Sequence, residues 1–202
     1  EKHLYEIEQI IEEAGIDTLA GLVLEPIIGA AGTALVPPDG YYEQIRSLCD
    51  RHNILMIADE VMTGLGRTGK WFALDHWGTY ADIVTIGKSL GAGYAPIAAT
   101  LITNKIYNPI EKGSGIIISG HTYSGHPLSC ATALCVLNTI EEDNLIENVY
   151  EKGEILKTSL LEIKSKYNFI TKVRGKGLLL GVEFVPSIKN LQVQVIEACF
   201  KN

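Results

Sequence analysis

The segment ILMIADE, residues 54–60, limits the possible folds most strongly. Five apolar residues follow one another without polar alternation, which fits a short strand covered on both faces. The run then ends in two acids, Asp59 and Glu60. Three further apolar runs of similar length follow the same design: LAGLVLE at 19–25, ADIVTIG at 81–87 and IAATLIT at 97–103. Between the first two runs, Asp39 stands where it can cap a helix from Gly40 to His52, with Ile45, Leu48 and Cys49 facing inward. Apolar strands alternating with helices predict an α/β fold built on a parallel sheet. Ligands of such sheets bind at the carboxyl ends of the strands. Glu25, Asp59 and Lys88 are the residues found there.

The flanking regions read differently. Leu4, Ile7, Ile11 and Ala14 form a helical stripe stopped by Gly15. Helical spacing also runs from His126 to about Glu142 and from Asn144 to Tyr167. The segment FITKVRGKGLLLGVEFV, 169–185, reads as two strands around a glycine turn, and one more amphipathic helix follows. This change of style sets an expected domain boundary near residue 140.

Acids outnumber bases, 24 to 17, giving a formal net charge of −7. The bases are scattered, which argues against a nucleic-acid partner. No apolar run reaches the ~18 residues of a membrane span. The chain opens on the charged stretch EKHLYEIEQIIEEAG, unlike a signal peptide. Cys49, Cys130, Cys135 and Cys199 form no C-x-x-C pair and lie on predicted apolar helix faces. Buried free thiols in a reducing cytoplasm are therefore expected.

Two chemistries compete for the strand ends. Gly64-x-x-x-x-Gly69-Lys70 approaches a phosphate-binding loop, but Trp71 stands where a Mg²⁺-ligating Ser or Thr is required. Gly87-Lys88-Ser89 has the serine, yet Asp82 occupies the first glycine position, where an anion cradle gains nothing from a carboxylate. The second chemistry uses Asp59 and Lys88 together. A poorly solvated Asp needs a cationic partner, and a partly desolvated Lys becomes a nucleophile. Pyridoxal phosphate (PLP) calls for both: its aldehyde takes a lysine, and its ring nitrogen keeps a proton beside a carboxylate.

The stretches IADEVMTGLGRTGKWFA, DIVTIGKSLGAGYAPIAA and GHTYSGHPLSCATAL, in this order, resemble the class III (ω-) aminotransferases on the fold-type I PLP scaffold. LVLEPIIGAAG and VRGKGLLLGVEF extend the likeness over nearly the whole chain. The resemblance implies a large PLP-binding domain, with a mostly parallel sheet flanked by helices, over residues 1–139. Residues 140–202 then hold a connecting helix and the start of a smaller α+β domain. It implies Lys88 as the lysine that carries the cofactor and later moves the substrate Cα proton. It implies Asp59 at the pyridinium nitrogen, Val61 against a ring face, and Thr122 on the cofactor phosphate of the neighbouring subunit, hence a homodimer. The substrates it implies are an amine or amino acid and a 2-oxo acid.

Other residues take structural readings. Glu60 and Arg67 are expected to tie down the loop after the strand. Glu25 reads as a structural acid, Trp71 and Trp77 as packing, and His121 and His126 as hydrogen-bonding residues rather than metal ligands. Glutamate-handling members of the family carry an acid at the place of Ala30. Its absence leans toward the ω-amino acid:pyruvate branch. Aminomutases of the same superfamily share the DEVMTG-like motif but lack the GRTG present at 66–69. The family's chains are about twice this length, so the chain is expected to be the middle portion of a longer protein. A scaffold remnant without turnover is the other alternative, and the intact Lys88 argues against it.

Overall fold

The computed structural model describes residues 2–201. Twelve helices and strands are named here. Helix α1 spans Lys2–Ala14, strand β1 Gly21–Leu24, helix α2 Tyr41–Arg51, strand β2 Leu55–Asp59 and strand β3 Ile83–Ile86. Strand β4 spans Ala99–Ile102, helix α3 Asn104–Lys112, helix α4 Pro127–Glu142 and helix α5 Leu145–Lys166. Strands β5, Ile170–Lys176, and β6, Leu179–Phe184, precede helix α6, Leu191–Lys201. The first four strands form one sheet in the order β1-β2-β3-β4, and β5 pairs with β6 in a separate antiparallel hairpin.

The sheet is mostly parallel. Strand β2 runs parallel to β1 and β3, with Val23 opposite Ile57 and Asp59 opposite Thr85. Strand β4 departs from the expected pattern and runs antiparallel to β3. Parallel strands need a long crossover, but residues 87–98 hold only the 3₁₀ turn Lys88–Leu90, so the chain doubles back. Strand β1 also differs: it sits at a sheet edge and its Val23 is exposed. Helix α3 holds Pro109 in its interior, a position that proline ordinarily disfavours.

Alternation along β2 puts Met56 and Ala58 in the main core. They pack with Tyr42, Ile45, Leu48 and Cys49 of α2, with Ile11 of α1, and with Trp77. Tyr42 meets Trp77 edge-on, with centroids 4.8 Å apart. Its hydroxyl donates to the carbonyl of Pro26 at 2.6 Å, anchoring the turn after β1. Helix α2 starts without the expected Asp39 cap. Gly40, in the left-handed region, precedes it, and no side chain caps it. The cysteine expectation holds only for Cys49; Cys130, Cys135 and Cys199 are exposed and all four are free. A helix face that is apolar by spacing stays open where no described element packs on it, as at Leu128 and Leu134 of α4.

A buried ion pair crosses the sheet. Asp82, 3% exposed, accepts from the Arg46 guanidinium at 2.8 Å, from Met56 N–H at 2.9 Å and from Lys105 at 3.3 Å. Burial pushes the Asp82 carboxyl up, but these donors outweigh it and hold it below the ordinary carboxylate value. The folded protein thus favours the ionised form. The resulting stability is complete above the unfolded range near pH ~4 and is lost as pH falls through the lower folded value. Replacing Arg46 by Met should cost about 3–5 kcal/mol, read by denaturant unfolding of the full-length protein. Replacing Asp82 by Asn should flatten the dependence of stability on pH below ~4.

The hairpin packs on the first sheet's loops through backbone contacts. Leu178 N–H donates to the Arg67 carbonyl at 3.2 Å. Gly177, at φ +54°, lies so close to Thr68 that a Cβ would meet its carbonyl carbon at 2.5 Å. Gly153 of α5 completes the seam, because a Cβ there would fall 2.4 Å from the Gly177 oxygen. Alanine normally favours a helix interior over glycine by about 1 kcal/mol. At Gly153 the sign should reverse, with Gly153→Ala costing about 1–3 kcal/mol of overpacking. A melting temperature that rises in this variant would refute the contact.

Candidate active site

The two acids that end β2 go to opposite sides. Successive strand residues alternate between faces. Glu60 continues the inward series of Met56 and Ala58 and is 1% exposed, while Asp59 continues the series of Leu55 and Ile57 and stays half-buried.

Glu60 is the structural acid. One carboxylate oxygen accepts from Leu74 N–H at 3.1 Å. The other accepts from Ala73 N–H at 3.0 Å and from the Thr63 hydroxyl. Ala73 and Leu74 head the 3₁₀ turn Ala73–Trp77, so the carboxylate draws the whole loop back to the strand end. Burial raises the Glu60 carboxyl above its ordinary value, and the three donors oppose that rise. Arg67, expected to tie down the same loop, takes no part in this network. Arg67 is exposed, its guanidinium makes no ion pair among the described residues, and it lines a separate cavity. The two residues belong to one motif but point to different compartments, so the acid is satisfied by backbone and hydroxyl donors instead. No helix follows Lys70 that could form a phosphate-binding loop; the next element is that 3₁₀ turn.

Asp59 sits at the mouth of a cleft of about 250 Å³. Glu25, Ala30, Ala31, Val61, Met62 and Lys88 line it as well. Asp59 Oδ1 accepts from Val61 N–H at 3.0 Å and from the Thr85 hydroxyl at 3.3 Å. Lys88 follows β3, one strand over, and is exposed rather than desolvated. Its backbone lies in the left-handed region at φ +39°, which costs a non-glycine residue about 1–3 kcal/mol. Glu25 shares the cleft, but its carboxylate accepts from Gly29 N–H at 3.2 Å and braces the loop after β1. That loop lies on Met62: a Cβ at Gly29 would fall 2.0 Å from Met62 Sδ.

A second, larger cavity of about 1310 Å³ opens beside the first. Met62 and Lys88 line both, and α4, α5 and the Leu178–Leu179 turn close its far side. Thr122 lies apart from both, in an exposed stretch beside the equally exposed Ile118 and Tyr123. His126 accepts from Ser129 N–H at 3.4 Å at the start of α4, a hydrogen-bonding role. Trp77 is buried packing, and Trp71 is 37% exposed. Sequence reasoning missed Thr85 and Met62. Thr85 carries no motif signal, and its link to Asp59 exists only through the register of β2 with β3.

A pyridine ring fits this donor set. The cleft offers a carboxylate at Asp59, an aliphatic wall at Val61 and a primary amine at Lys88, with Ala30 and Ala31 also in its lining. No phosphate cradle lines it among the described residues. A variant separates the two acids. Glu60→Gln puts an amide NH₂ against backbone donors and should cost about 1–3 kcal/mol in unfolding free energy.

Comparison with known proteins bears on the family of the chain. The sequence pattern of the family described as "Aminotransferase class-III" matches residues 1–201. An uncharacterised aminotransferase of Bacillus subtilis, YodT, is 52% identical over 93% of this chain and 42% of its own length. The taurine–pyruvate aminotransferase of Bilophila wadsworthia is 41% identical over 89% of this chain and 40% of its own. An amine transaminase from an uncultivated Pseudomonas species, solved in PLP-bound form, superposes with a TM-score of 0.86 at 41% identity, covering 91% of this chain and 42% of that one. The chain thus spans about 40% of the length of the relatives it matches. With its fold-type I sheet and the family pattern running from end to end, the chain belongs to the class III aminotransferase family.

Proposed function

We propose that the full-length protein is a PLP-dependent aminotransferase that moves an amino group from an amine or ω-amino acid to pyruvate or a similar 2-oxo acid. The observation that carries this reading is the meeting of Asp59, Val61 and Lys88 in one cleft at the carboxyl end of the sheet. When bound, PLP supplies an aldehyde and a protonated ring that withdraws electrons. Asp59 would hold the ring N–H and keep its charge in place. Val61 would lie against one face of the ring. The Lys88 amine would hold the cofactor before substrate arrives and, once displaced, would accept the proton of the substrate Cα and give it back to complete the transfer.

The acceptor preference has two supports. Ala30 and Ala31 give the cleft small, uncharged walls, which suit a short acceptor better than a dicarboxylate. A relative at 41% identity is named for taurine and pyruvate. Thr122 completes the reading as a phosphate ligand offered to a second subunit. Its exposure beside Ile118, at 93%, and Tyr123, at 80%, leaves that stretch open for such a contact. A homodimer and, with four free cysteines, a cytoplasmic setting belong to the same proposal.

Borohydride treatment of the full-length protein with PLP should fix the cofactor's mass on the peptide containing Lys88. Lys88→Ala should bind PLP without being trapped and should lose turnover. With a shared amine donor, kcat/KM for pyruvate should exceed that for 2-oxoglutarate by about tenfold or more. A folded, PLP-saturated protein that traps no cofactor on Lys88 would end the enzyme reading, and a 2-oxoglutarate preference would end only the acceptor assignment.

A further inference from the structure

The hydrogen bonds to Asp59 are lopsided. Both protein donors, Val61 N–H at 3.0 Å and Thr85 Oγ1–H at 3.3 Å, converge on Oδ1. Oδ2 accepts nothing among the described residues. A free carboxylate rotates about its last bond and exposes either oxygen. Two donors from different chain segments remove that freedom and leave one oxygen for an outside partner.

Thr85 is placed to do this by the sheet itself. It stands opposite Asp59 in the register of β2 with β3. Its carbonyl accepts from Glu60 N–H at 2.9 Å, so the same residue fixes the backbone immediately after Asp59. Across the other edge of β3 it faces Thr100 of β4. Thr85 is therefore held on both sides, and its hydroxyl inherits that rigidity. The Val61 N–H is a backbone donor that no substitution other than proline removes. The hydroxyl is the one adjustable part of the clamp.

We infer that Thr85 is a positioning residue, whose hydroxyl saturates Asp59 Oδ1 so that Oδ2 is the oxygen offered to the ring nitrogen of the cofactor. The inference rests on the proposed role of Asp59. It assigns Thr85 no contact with the cofactor. Its effect passes through the carboxylate, and it must therefore vanish for a ligand without the ring nitrogen.

The test measures equilibrium affinity of the full-length apoprotein for PLP and for a PLP analogue with carbon in place of the ring nitrogen. Thr85→Val keeps the β-branched shape and removes the donor. It should weaken PLP on the order of tenfold, while affinity for the carbon analogue stays within about twofold of the wild type. Thr85→Ser keeps the hydroxyl and should restore PLP affinity to within about threefold. Apoprotein melting confirms that each variant folds, and Thr85→Ala takes the place of the valine variant if the added methyl disturbs the strand. Unchanged PLP affinity in Thr85→Val, an equal loss for both ligands, or no rescue by serine overturns the inference. Asp59→Asn separates the two layers. If it weakens PLP and Thr85→Val does not, only the role of Thr85 fails. If Asp59→Asn leaves PLP affinity intact, the role of Asp59 fails and that of Thr85 with it.

Discussion

Glu60 keeps a carboxylate at 1% exposure because three donors from the chain beyond it, Thr63 O–H, Ala73 N–H and Leu74 N–H, close around its two oxygens. A buried charge without such partners costs several kcal/mol, so the loop has one low-energy path: back to the strand end. Much else hangs on that return. The 3₁₀ turn brings Trp77 against Tyr42, Tyr42 fixes the turn after β1, and the loop's outer rim receives the hairpin turn at Leu178. The first sheet, helix α2 and the β5–β6 hairpin are all joined through the segment that Glu60 anchors.

The neighbouring acid shows the same chemistry turned outward. Asp59 differs from Glu60 by one residue, and the period of two sends it to the opposite face. There it meets two donors among the described residues, both on one oxygen. A strand thus supplies, within two positions, a saturated acid that builds the loop and an unsaturated acid that faces the cleft. This division of labour needs no flexible element. Both carboxylates are set by strand geometry, which suits the role proposed for Asp59 beside a charged ring.

The cleft is also shaped by backbone proximity. Gly29 lets Met62 approach the loop after β1, and Gly153 and Gly177 let α5 and the hairpin approach the loop after β2. Side chains at these points would push the walls apart. The wider cavity next to the cleft is bounded by α4, α5 and the hairpin turn, so these elements contribute to the surroundings of Lys88 although they supply none of the proposed cofactor contacts. Residues far apart in sequence, such as Met62 and Leu179, share one cavity wall only because of this seam.

Much of this was legible in the sequence because it is written in local chemistry. The apolar runs at 19–25, 54–58, 81–87 and 97–103 supply strands β1 to β4, α4 and α5 lie where helical spacing places them, and Gly15 ends α1. The motifs around Asp59 and Lys88 identify the family by residue type and order alone. What the tertiary structure decided depends on partners that no local pattern names. The short return after Ile86 made β4 antiparallel. Arg67 turned away from Glu60, and three of the four cysteines lie at the surface, Cys135 against the larger cavity. The register of β2 with β3 set Thr85 on Asp59. Spacing fixes which face of its own element a residue occupies, whereas burial and hydrogen-bond partners are fixed by what the rest of the chain brings to that face.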